Sequence, residues 1–181
     1  MDTRKQIVEA MFELMSNYPI EKITVEMIAD RCKMARSSFY RYFQDKYQLM
    51  AMTYVFLSDK LIAEDLKNRD WASALEKILQ FMLDNKSAFV NMFKIEGQDS
   101  FYKFLYAHNL KLLRETYLEI KAAKNVTLYE TCMMELYTSG MVHLQEKWVT
   151  SEIPISPAEM ANIILNGMPA LLKTVMMDPS I

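Results

Sequence analysis

Apolar residues recur at helical spacing along nearly the whole chain. Ile7, Ala10, Met11, Leu14 and Met15 fall at i, i+3, i+4, i+7 and i+8, which predicts one buried stripe on a first helix. Thr3 and Gln6 have the spacing of a capping box at its start. Asn17-Tyr18-Pro19 ends it, because the residue before a proline avoids helical angles. A short second helix is predicted from Thr24, whose hydroxyl suits the free amides that follow, with Val25, Ile28, Ala29 and Cys32 facing inward. After a break around Lys33-Met34 comes a third short helix, residues 35 to 42, and then Asp45, with Gln48 three residues on, opens a long fourth. Two short helices joined by a tight turn form a helix-turn-helix. Neither is long enough to stand alone in water, so the first helix must supply their packing surface.

Beyond residue 50 the pattern stays helical. Helices are predicted over 45–66, 71–84, 86–96, 100–122, 127–149 and 156–176. They are separated by the polar run 67–70, by Gly97 to Ser100, by Asn125-Val126-Thr127 and by a longest loop from Thr150 to Pro157. No internal repeat or low-complexity segment interrupts them.

Composition agrees with an all-α chain: only three glycines and five prolines are available for the turns that a sheet would need. With 51% of residues hydrophobic there is ample material for a core, yet no apolar run reaches the length of a membrane span. The N-terminal stretch mixes acids and bases and lacks a signal-peptide cleavage site, and Cys32 and Cys132 read as two reduced thiols. A cytoplasmic setting is expected. The net charge of −2 conceals a local excess: Arg31, Lys33, Arg36, Arg41 and Lys46 face only Asp45 within residues 31–46. Such a cluster suits a phosphate backbone, or is simply a solvated face.

Residues 24–46 read TVEMIADRCKMARSSFYRYFQDK. This string resembles the DNA-binding segment of the TetR/AcrR family through Thr24, Val25, Ile28, Ala29, Phe39, Tyr40, Phe43 and Lys46, with Ser38 for threonine and Tyr42 for histidine. The specific likeness covers residues 5–50; the remainder agrees in length, helicity and layout. The spacing has its own physical sense. Phe39 and Phe43 share one helical face and plug the third helix into its neighbours, so the opposite face presents Arg36, Ser37, Tyr40 and Arg41. Arg36 suits bidentate reading of guanine, and Ser37 can donate or accept. The resemblance implies that Thr24, Tyr40 and Lys46 lie on phosphates, with Ser38 and Tyr42 at or near the DNA surface. Two positions depart from the family pattern. Lys33 stands where glycine is common, and Ala35 where a capping serine is common, which leaves Met34 to hold the turn by burial.

The C-terminal portion is rich in soft, bulky side chains. For Phe81, Met82, Phe89, Met92, Phe93, Phe104, Tyr117, Met133 and Tyr137 two readings stand side by side: plain core, or the wall of the effector pocket that the resemblance implies. The last two helices carry Leu136, Gly140, His143, Met160, Ile164, Gly167 and Leu171. The resemblance implies a four-helix dimer bundle there, the alternative being an intramolecular hairpin. His108 and His143 lack partners at metal-ligand spacing. No phosphate loop, HExxH or nucleophile elbow occurs, so no metal, cofactor or enzymatic activity is expected.

The sequence thus predicts an all-α protein: a three-helix helix-turn-helix domain at 1–48, then a larger helical effector-binding and dimerisation domain at 49–181. The resemblance implies a homodimeric regulator, most often a repressor, binding an inverted-repeat operator in double-stranded DNA and answering to a small molecule. Two rival readings replace the small molecule with a protein co-regulator, or make the chain a helical scaffold without DNA binding.

Overall fold

The structure, a computed structural model, describes residues 2–97, 100–150 and 152–177. Parts of two expected breaks, Gln98-Asp99 and Ser151, lie outside the described residues. Among those described are ten α-helices and no strand: α1 (Thr3–Asn17), α2 (Val25–Arg31), α3 (Arg36–Phe39), α4 (Lys46–Lys67), α5 (Trp71–Asp84), α6 (Lys86–Phe93), α7 (Phe101–Ile120), α8 (Leu128–Val149), α9 (Pro157–Asn166) and α10 (Ala170–Met176). None is long and apolar enough to cross a membrane.

The first helix buries the predicted stripe, but its start differs. Thr3 is already helical, and the carboxylate of Asp2 accepts from the Arg4 amide at 3.0 Å, so Asp2 rather than a Thr3–Gln6 box caps it. Thr24 caps α2 as expected, accepting from the Met27 amide at 3.2 Å. Asp45 accepts from the Tyr47 and Gln48 amides, both at 2.8 Å, and the Gln48 side chain reaches back to the Gln44 amide at 2.7 Å. Because α1 packs on α2, α4 and α6, the short helices have the support they lack alone. Asn91 on α6 adds a polar tie, donating to the Met15 carbonyl at 3.0 Å.

The turn between α2 and α3 carries both departures noted above. Lys33 has φ of +52°, a region that side chains enter only at a cost. Ala35 occupies the N-cap of α3 and supplies no side-chain bond. The α3 helix ends at Phe39, short of the expected residue 42, and Tyr40 to Tyr42 continue as tight turns, the Tyr42 amide donating to the Phe39 carbonyl at 2.9 Å. Lys33→Gly is therefore expected to stabilise the protein by about 1 kcal/mol. Chemical denaturation reads this directly, and unchanged stability would mean that the Lys33 side chain returns what the backbone loses.

The C-terminal helices pack α5 on α4 and α9, and α7 on α8 and α10. Glu130 organises the α7–α8 connection. Its carboxylate accepts from the Tyr117 hydroxyl at 2.6 Å and from the Thr127 amide at 2.7 Å, and pairs with Lys121. The Lys121 ammonium, then the Thr127 amide and Tyr117 hydroxyl, hold its carboxyl down at about 2. The single helix expected over 156–176 is two. Gly167-Met168-Pro169 separates α9 from α10, since Pro169 has no amide to donate to the helical ladder and restricts the residue before it.

Candidate nucleic-acid interface and interior cavity

Phe39 and Phe43 are 0% and 2% exposed, with ring centroids 5.8 Å apart, and they fix α3 against the body of the N-terminal unit. The far side of this short segment carries Arg36, Ser37, Tyr40, Arg41 and Tyr42, all exposed, with Ser38 half-buried. An Arg36 Nη donates to the Tyr40 hydroxyl at 3.5 Å, so the two side chains share one patch. Thr24 is exposed at the start of α2. Its oxygen accepts the Met27 amide, which leaves the hydroxyl proton for an outside acceptor such as a phosphate.

The five bases of the local cluster divide by role. Arg31 pairs with Glu13 on α1, whereas Lys33, Arg36 and Arg41 are exposed. Lys46 departs from its expected place. Its ammonium donates to the carbonyls of Ile20, Glu21 and Ile23 at 2.7, 3.0 and 2.9 Å, so all three protons are taken within the chain. Burial lowers its pKa and the charge of Glu21 raises it. Lys46 thus ties the first turn of α4 to the short 3₁₀ turn Ile20–Lys22 that leads into Thr24. Spacing alone cannot distinguish such a strut from a phosphate ligand.

A cavity of about 150 Å³ lies in the C-terminal half, between α4, α5, α7, α8 and α9. Of the nine residues read as pocket wall, only Tyr137 lines it. Met82, Phe89, Met92 and Phe93 are buried core, joined by half-buried Phe81 and Phe104. Tyr117 is buried in a second cluster, against which Met133 packs. Large apolar side chains fill space, and the void lies elsewhere, beside Tyr54, Ser58, Ile78, His108, Thr138 and Gln145. The legible signal was polarity on a buried phase: Thr138 and Gln145 are 0% and 3% exposed on the α8 face that also buries Met134, Val142 and Trp148. His108 stacks on Phe104 at 5.8 Å, and burial lowers its pKa against the opposing effect of Asp59. Burial likewise keeps the Tyr54 hydroxyl protonated.

Comparison with known proteins agrees with this layout. The profile described as "Bacterial regulatory proteins, tetR family" matches residues 7–52, and "Transcriptional regulator C-terminal region", of the same family, matches residues 69–169. The chain belongs to the TetR family of transcriptional regulators. A curated relative, the transcriptional activator DhaS of the dhaKLM operon in Lactococcus lactis, is 26% identical over 110 residues, a match spanning 60% of this chain and 58% of that protein. The solved structure of a dihydroxyacetone kinase operon activator DhaS superposes with a TM-score of 0.67 at 21% identity, covering 96% of this chain and 97% of the other. A TetR regulator from a Rhodococcus species gives 0.66 at 16%, covering 94% and 95%, and the repressor AlkX from Dietzia gives 0.55 at 16%, covering 96% of each. These likenesses concern the fold.

In this TetR-family chain the expected dimer residues separate by burial. Leu136, Gly140 and His143 are exposed along α8, continuing a stripe from Leu128 and Tyr129, with Leu128 81% and Leu136 67% exposed. Gly167 and Leu171 are exposed as well. Met160 and Ile164 are not: both are buried on the inner face of α9, which packs on α5, and Ile164 lines the cavity. The large apolar residue that α9 leaves exposed is Ile163. A chain read without its partners offers two apolar faces on such a helix, and periodicity does not say which is turned inward.

Proposed function

We propose that this TetR-family regulator binds an inverted-repeat operator as a homodimer, and that a small molecule in the cavity controls operator occupancy. Helix α4 carries the reading. Tyr54, Ser58 and Ile62 on α4 line the cavity, while Lys46 at its N-terminus holds the carbonyls that precede the helix-turn-helix. A ligand favouring one setting of α4 therefore also favours one spacing of the two reading heads, which is a population shift. Where the operator overlaps a promoter, occupancy represses and the effector relieves it. The setting is cytoplasmic, the nucleic-acid partner is duplex DNA, and no catalytic step is involved. A small molecule is preferred over a protein co-regulator because two residues lining the cavity carry buried polar atoms without partners.

The DNA face is tested by substitution. Arg41→Ala should weaken binding to all duplexes and flatten its salt dependence by about one unit. Arg36→Ala should erode discrimination between operator and random DNA by roughly 1–3 kcal/mol. Lys46→Ala should lower stability and leave the salt slope unchanged, because its protons serve the protein. Titrations at several salt concentrations separate the three. Equal loss on every sequence for Arg36→Ala would remove its base-reading role.

A further inference from the structure

Two residues of the cavity wall each carry a buried polar atom that the protein leaves without a hydrogen bond. Thr138 Oγ1 and Gln145 Oε1 are both buried and unpartnered, and both residues line the cavity. They lie seven residues apart on α8, two turns along the same face. An unsatisfied buried acceptor is expensive, so two on one wall point to a partner that is not part of the chain. Some of the other polar groups are committed. The Tyr137 hydroxyl donates to the Ile164 carbonyl at 3.0 Å and the Ser58 hydroxyl to the Val55 carbonyl at 3.2 Å.

The lining also defines charge and size. Among the described residues it contains no lysine or arginine, and its histidine, His108, has its pKa lowered by burial. Asp59, at an exposed position, is its one carboxylate among the described residues. An anion would find no counter-charge there and would meet Asp59; a cation carried inside would leave its water without a buried carboxylate to replace it. Ile62, Ala74, Ile78, Leu112 and Met141 make the remaining wall apolar. A void of about 150 Å³ accepts an object of roughly benzene's size.

Resting on the reading of this cavity as the effector site, we infer that the effector is a small, uncharged hydroxyl compound with an apolar body. Its hydroxyl proton goes to Gln145 Oε1, and its polar end or a second hydroxyl meets Thr138 Oγ1. Phosphorylated and carboxylated compounds are excluded by the wall.

Calorimetric titration of the full chain with four rings of one size tests this: cyclohexanol, cyclohexane, cyclohexanecarboxylate and cyclohexylamine. Cyclohexanol should bind at least tenfold more tightly than either charged ring. Thr138→Val and Gln145→Met should each weaken cyclohexanol at least fivefold and leave cyclohexane binding unchanged, while the melting temperature stays level or rises because an unpaired buried atom is gone. Retention of cyclohexanol affinity in both variants would overturn the assignment. A charged ring that binds best and shifts operator affinity would overturn the chemistry and leave sensing at this cavity intact. Failure of all four to bind would overturn both.

Discussion

Phe39→Ala and Phe43→Ala are each expected to destabilise the N-terminal unit by roughly 3–5 kcal/mol. Both rings are almost wholly buried, and they contact each other and the first helices rather than solvent. Phe39 also meets Tyr40 edge-on at 5.4 Å, so its loss frees a side chain of the proposed DNA face. The four residues of α3 have no side-chain cap and no length to persist alone, which leaves these rings as their main anchorage. A loss of that size is a large part of what a small domain has. The expected result is amide exchange that becomes fast in residues 20–45 while α8 stays protected, and loss of DNA binding with it. Unchanged protection across α2 and α3 would contradict the packing described here.

Leu136→Glu should leave the fold of one chain intact and break the proposed dimer. Leu136 is 67% exposed on α8, and the stripe through Leu128, Tyr129, Gly140 and His143 has no covering element among the described residues. A Cβ on Gly140 would meet nothing within 4 Å, so this face has room for a close neighbour. A dimer there should bury more than the roughly 1,200 Å² of a minimal stable interface. Symmetry places two uncompensated carboxylates in that interface, and the dimer dissociation constant should rise about a hundredfold or more, near 2.7 kcal/mol. Sedimentation should show monomers with an unchanged melting curve. Ile164→Glu is the contrasting variant: it buries a charge inside the chain and should unfold it. An intact Leu136→Glu dimer would remove α8 from the interface.

Most helices were legible because their stripes repeat at 3.6 residues, and α5 runs as predicted from residue 71 to 84. The break at Pro169 is legible in proline's missing amide, although the apolar pattern runs on across both sides of it. The helix-turn-helix face followed from Phe39 and Phe43, whose burial sets the phase of their neighbours. Lys46 did not follow, since its partners are backbone carbonyls more than twenty residues away, and carbonyls carry no sequence signal. The cavity was misplaced for a related reason. Bulky residues mark where space is filled, and what marks this void is Thr138 and Gln145, polar where the α8 phase is buried.

Two copies of this reading head are expected to recognise one symmetric DNA site. Footprinting on the DNA flanking the chain's own gene, with the protein's mass on that DNA measured in parallel, tests it most directly. The expected result is two protected half-sites related by two-fold symmetry, their centres separated by a whole number of helical turns, occupied together by a dimer and lost together in Leu136→Glu. Uniform protection without sequence preference, or a single half-site held tightly by a monomer, would contradict it.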